Sequence, residues 1–143
     1  MHKATGITIL LVLGLTMAGC GNPSSGNING NWNATLANTD GSTFSQFSAT
    51  FAQGTGSELS ITNLTFTTPG PCRFFGGWGA AGSFTPTNGT FGMSMAAENV
   101  GGPTLSLQGT LSSGRISGTW SASGLVPPCS GNGTFTIQLS VVG

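Results

Sequence analysis

Charge is nearly absent from this chain: among 143 residues there are 3 Lys and Arg, 3 Asp and Glu and 1 His, and tyrosine does not occur. The only histidine, His2, and the only lysine, Lys3, both lie at the amino-terminal tip. General acid and base work mostly draws on His, Asp, Glu, Lys, Tyr or Cys. Beyond the tip that set shrinks to Asp40, Glu58, Glu98 and three cysteines. A serine nucleophile would lack its His or Lys activator. The chain therefore reads as a protein that is not an enzyme, with no catalytic, cofactor-binding or metal-ligating set. There is no basic stripe, which excludes the electrostatic footprint of a nucleic-acid binder. A long hydrophobic run is also missing, since the apolar stretch from Ile7 to Met17 falls short of the roughly 20 residues that a spanning helix needs. No window carries an apolar period of 3.6, so amphipathic helices are not expected.

What the first residues do have is a short basic head, an apolar run, and the small residues Ala18 and Gly19 before Cys20. That is the layout of a secretory signal peptide. The stretch Leu15-Thr16-Met17-Ala18-Gly19-Cys20 resembles the lipobox of bacterial lipoproteins, with Met17 where leucine is usual. The resemblance covers residues 1–20. It implies cleavage after Gly19, a diacylglycerol on the Cys20 sulfur and an acylated amino group, as in palmitate-bearing lipoproteins. Several acyl chains together make such an anchor stable. Gly21 stands where an aspartate would resemble an inner-membrane retention signal, so in a cell with two membranes the outer membrane is the expected destination. The expected organisation is a signal peptide over 1–19, the lipidated cysteine with a flexible polar tether over 20–30, and a single domain over 31–143.

The domain is rich in Thr, Phe, Val and Ile and is punctuated by Gly, Asn, Ser and Pro, a composition that reads as all-β. Alternation predicts strands near 31–38, 43–52, 57–67, 80–86, 89–97, 104–111, 115–122 and 133–141, with a minor helical turn near Ala96 to Asn99. In the third strand the apolar parity passes from Leu59 and Ile61 to Leu64 and Phe66, which predicts a bulge near Asn63. Ser112-Ser113-Gly114 signals a tight hairpin, and Asp40 before Gly41 signals a turn. Eight consecutive antiparallel strands with short links predict an up-and-down barrel of the lipocalin-like kind, which removes exposed edges by closure. A two-sheet β-sandwich is the alternative.

In such a meander the links alternate between two ends. The links at 53–56, 87–88 and 112–114 collect at one, and those at 39–42, 68–79, 98–103 and 123–132 at the other. Cys72 and Cys129 both fall in connections at this second end. An exported chain lives where disulfides persist, so the two are expected to pair once Cys20 is lipidated. Closing that loop stabilises a fold by about 4 kcal/mol on the loop-entropy model. Arg73, Phe74, Phe75 and Trp78 sit in the same long connection and are the candidate ligand mouth. The competing assignment for their rings is closure of the core.

Gly30-Asn31-Trp32, at the opening of the first strand, resembles the Gly-x-Trp signature of lipocalins and the wider calycin group. The same spacing recurs at Gly76-Gly77-Trp78 and Gly118-Thr119-Trp120. The resemblance implies that Trp32 plugs one barrel end with an arginine packed across its ring, and Arg115 is the arginine the strand count places there. In the family that arginine lies near the last strand, whereas Arg115 opens the seventh. Two functional expectations follow. The first is a lipoprotein of the bacterial envelope with a structural or interaction role, attached to the membrane through Cys20. The second is lipocalin-like binding of a small apolar or carbohydrate ligand at the long-loop end. They separate on whether the barrel interior is filled, because eight strands can either pack solid or hold one ligand.

Overall fold

The computed structural model describes residues 27–68, 79–96, 104–123 and 130–141. Eight strands run in order: β1 (Gly30–Asn38), β2 (Thr43–Gln53), β3 (Glu58–Thr68), β4 (Gly79–Thr85), β5 (Thr90–Ala96), β6 (Thr104–Ser112), β7 (Arg115–Ser123) and β8 (Gly131–Leu139). Each pairs antiparallel with its neighbours, and β8 returns to β1 to close the barrel. The closing ladder runs from Trp32 opposite Leu139 to Asn38 opposite Gly133. The sandwich alternative is thereby excluded.

The strands form where alternation places them because each side-chain parity has one destination. In β6, Leu105, Leu107 and Leu111 are buried while Thr104, Gln108 and Thr110 are exposed. In β7, Ile116, Trp120 and Ala122 face inward. The β6–β7 hairpin turns on Ser113 and Gly114, both with positive φ (52° and 73°), the geometry of a two-residue hairpin whose twist matches its strands. The turn after β1 is held by Asp40, whose carboxylate accepts from the Ser42 amide and hydroxyl, while Gly41 takes φ 87°. The bulge expected near Asn63 is present. Between Ser48 and Thr50 of β2 the register jumps from Thr65 to Thr62, and Asn63 adopts φ 52°.

Three features depart from the sequence reading. The last strand is Gly131–Leu139, two residues earlier than expected, so Val141 lies beyond the sheet. A second bulge separates Leu36 opposite Ser45 from Ala37 opposite Thr43, which turns Phe44 and Ser45 inward consecutively. The third concerns the tether. Gly30 already belongs to β1, and Ile28 is 1% exposed rather than part of a solvated linker. Ala96 ends β5, and the rest of the expected helical turn lies outside the described residues.

Aromatic rings fill the interior. Trp32, Phe51, Phe91 and Phe135 follow one another across the barrel with centroid separations of 6.1, 5.6 and 6.2 Å. Each is at most 2% exposed. Full burial of a phenylalanine side chain contributes roughly 1.5–3 kcal/mol. The interior glycines are occupied positions rather than gaps. A Cβ on Gly109 would come within 2.9 Å of the Phe135 ring, and one on Gly82 within 2.8 Å of Ile61 Cδ1. The weakest seam is between β3 and β4, where register pairing is limited to Glu58 with Ser83 and Leu59 with Gly82.

Gly133 has the strictest requirement. The Trp120 indole crosses β8 over this residue to donate from Nε1 to the Ala37 carbonyl at 2.8 Å. A Cβ at Gly133 would collide with that same carbonyl oxygen and stand 2.8 Å from Nε1. Gly133→Ala should therefore cost about 1–3 kcal/mol by overpacking, whereas Ser121→Ala on the outer wall should stay within roughly 0.5 kcal/mol. Urea denaturation of the two variants checks this, and equal midpoints would contradict it.

Candidate functional site

The two barrel ends are the places where a ligand could enter, and a buried tryptophan stands near each. At the short-turn end the Trp32 indole donates from Nε1 to the Ile28 carbonyl at 2.8 Å, and its ring lies against Phe51 at an interplanar angle of 27°. The hydrogen bond fixes the residues before β1 across the opening. Asn29 secures them further, its Oδ1 accepting from the Gln53 amide at 2.6 Å. Ile28 then packs into the core. Trp32 is buried at this end, and the group its indole bonds is the Ile28 carbonyl.

Arg115 is at this end, as the strand count implies, yet on the other face of the wall. Ile116 points inward and is fully buried, so alternation sends Arg115 outward, where it is exposed. There it faces its cross-strand neighbour Gln138. With the Gln138 amide oxygen turned toward it, Arg115 donates from Nη2 at 2.7 Å and Nε at 3.1 Å. An inward guanidinium would need hydrogen-bonding partners that this apolar core does not offer. The expectation that arginine packs across the Trp32 ring is corrected accordingly.

At the long-connection end Trp120 stacks on Phe44 with centroids 4.2 Å apart and planes 22° apart. The bulge at Ala37 supplies Phe44 to that stack, and Gly133 lets the indole lie flat against β8. Outside the same end is a concavity of about 670 Å³ lined by Asn38, Thr39, Thr119, Ser121, Asn132 and Thr134 among others. A smaller one of about 310 Å³ lies on the outer wall over β4, β5 and β6, beside Ser83, Ser94, Ser106 and Gln108. Hydroxyls and amides contribute to both, together with Trp120 in the larger and Met93 and Leu107 in the smaller, and neither contains an ionisable side chain. These surfaces can hydrogen-bond but cannot exchange protons with a substrate near neutral pH.

Among the described residues the ionisable groups do not gather. Asp40 is in the turn at the long-connection end, whereas Glu58 opens β3 at the opposite end. Hydrogen bonds from Ser42 hold the Asp40 carboxyl below the usual carboxylate range. Its folded pKa lies below its unfolded value, so the turn's contribution is present above the ordinary carboxylate pKa and is lost as pH falls through the lowered one. Among the described residues, no three His, Cys, Asp or Glu side chains come together as a metal site. Glu98, the candidate mouth of Arg73, Phe74, Phe75 and Trp78, the pair Cys72 and Cys129, and Cys20 lie outside the described residues. The strand ends at Thr68, Gly79, Ser123 and Gly131 do all belong to the long-connection end, as the meander requires.

Two side chains that form the ends were not read from sequence. Ile28 is the single large apolar residue between Pro23 and Trp32, an interruption in a polar stretch that signals a buried anchor. Phe44 has the opposite parity to Phe47, Ala49 and Phe51, which is the signature of a bulge between them.

Comparison of the chain with protein-family models, curated proteins and solved structures finds no match.

If Ile28 and not Arg115 completes the plug, Ile28→Ala should lose about 2 kcal/mol or more, and Arg115→Ala should lose less than about 1 kcal/mol. Chemical denaturation of both variants checks this. The reverse ranking would restore Arg115 to the plug.

Proposed function

We propose that this protein is an exported lipoprotein of the bacterial cell envelope, anchored through acyl chains on Cys20, whose compact barrel has a structural or interaction role at the membrane surface. The observation that carries this reading over internal ligand binding is the chain of rings from Trp32 through Phe51 and Phe91 to Phe135, which occupies the volume a lipocalin-like ligand would need. The surface fits the same role. Its polarity comes from Ser, Thr, Asn and Gln, and in a chain with so few charges a tether serves better than charge repulsion to keep molecules apart. A disulfide between Cys72 and Cys129 belongs to this reading, because an exported domain matures under oxidising conditions. No catalytic step is assigned to it.

A second reading keeps a ligand but moves it outside the barrel. The concavity at the long-connection end offers the hydroxyls and amides of Asn38, Thr39, Thr119, Ser121, Asn132 and Thr134, a lining suited to a carbohydrate. Trp120 also lines this concavity and adds an apolar surface to it.

Cys20→Ser tests the anchor. The wild-type chain should partition into the detergent phase on Triton X-114 separation, with its amino-terminal peptide heavier by the mass of the acyl groups. The variant should remain unprocessed or enter the aqueous phase. Partitioning and peptide mass unchanged by the substitution would remove the proposed anchor.

A further inference from the structure

Resting on the anchored reading, we propose that the short-turn end of the barrel seats on the bilayer surface through the apolar rim formed by Leu139 and Val141, so that the barrel stands on end with its long connections facing away from the membrane. Two independent placements lead there.

The first is where the tether meets the domain. Asn27 to Asn29 are fixed at the short-turn end by the Trp32 bond to the Ile28 carbonyl and the Asn29 bond to the Gln53 amide. Only six residues, 21–26, separate the acylated Cys20 from Asn27. The seven Cα steps from Cys20 to Asn27 span at most about 25 Å. The acyl chains thus hold this end within reach of the headgroups.

The second is the location of exposed apolar surface. Among the described residues the exposed large hydrophobics are Leu139 at 46% and Val141 at 92%, and both lie at this same end. They continue an inward parity: Phe135 and Ile137 are buried in the barrel, Leu139 reaches the rim beside Gly30, and Val141 passes beyond the last strand pair. The interior apolar column therefore overshoots the barrel mouth by two positions on the side where the tether arrives. Ser140 is fixed by its amide donating to the Asn31 carbonyl at 2.8 Å, which holds the projecting segment in place. The neighbouring turns, Gly54-Thr55-Gly56-Ser57, Pro86-Thr87-Asn88-Gly89 and Ser113-Gly114, carry no charge. Glu58 and Arg115, one of each sign, stand at strand starts on the outer wall. An uncharged apolar rim of this kind suits the boundary between headgroups and acyl chains, where surface-bound apolar groups sit about 5–10 Å deep.

The test uses the full chain, processed in a bacterium and reconstituted in phosphatidylcholine vesicles, with an added tryptophan reporter. Val141→Trp places it at the rim, and Thr39→Trp places it in the exposed turn at the other end. A nine-residue strand tilted as in small barrels separates the two by about 20 Å along the axis. After subtraction of the wild-type signal, brominated phospholipid should quench the Val141→Trp reporter several-fold more strongly than the Thr39→Trp reporter and shift its emission to the blue. Flotation and the mass of the amino-terminal peptide report anchoring separately. If the acylated chain floats but the two reporters are quenched equally, or neither is, the seated orientation is overturned while the anchor stands. If the chain carries no acyl mass and does not float, the anchor and the seating fall together.

Discussion

The volume enclosed by eight tilted strands has to be filled from a fixed number of inward positions, and in this chain aromatic rings fill it. Small barrels leave just enough room inside for side chains. Here alternating parity delivers Trp32, Phe47, Phe51, Phe84, Phe91, Trp120 and Phe135 to that space, and each is no more than 2% exposed. The glycines are distributed accordingly. Gly109 and Gly118 face each other across β6 and β7; a side chain on Gly109 would meet the Phe135 ring, and one on Gly118 the backbone of β6. Gly133 makes way for Trp120 in the same manner. Closure of the sheet, ring packing and glycine placement are thus one arrangement, since a larger residue at any of these positions would displace a ring or a strand.

The tryptophans near the two ends are held by related means. Each tryptophan turns its ring toward a phenylalanine and donates its indole N–H to a backbone carbonyl, Trp32 to Ile28 and Trp120 to Ala37. A buried indole needs such an acceptor, and the acceptor in each case lies on another segment, so the bond also ties that segment down. At the short-turn end the segment is the approach to β1, which converts a stretch of polar residues into a lid. At the other end it is β1 itself, reached across β8.

Most of the barrel was legible because strands such as β6 and β7 carry regular alternation and turns carry Asp40-Gly41 or Ser113-Gly114. The bulge at Asn63 was legible for the same reason, since a parity change within a strand has one economical geometric explanation. Phe44 was obscured because its bulge lies two residues from a turn, where loss of parity looks like the end of a strand. Ile28 was obscured because a lone apolar residue among Asn, Ser and Gly reads as linker until the geometry of Trp32 shows that an acceptor is needed. For Arg115 the end was legible but the face was not used: Ile116 beside it already fixes the inward parity. The alternation also could not show whether inward glycines leave a ligand space, because that depends on rings from other strands.

A packed interior has no room for added volume. Ala34 is 2% exposed at mid-barrel, between Phe47 of β2 and Ile137 of β8. If the interior is filled, Ala34→Leu should lower the unfolding free energy by about 1–3 kcal/mol through overpacking, with the loss read from urea denaturation of the full chain. Unchanged or increased stability would show unfilled space at the centre of the barrel and would contradict the account.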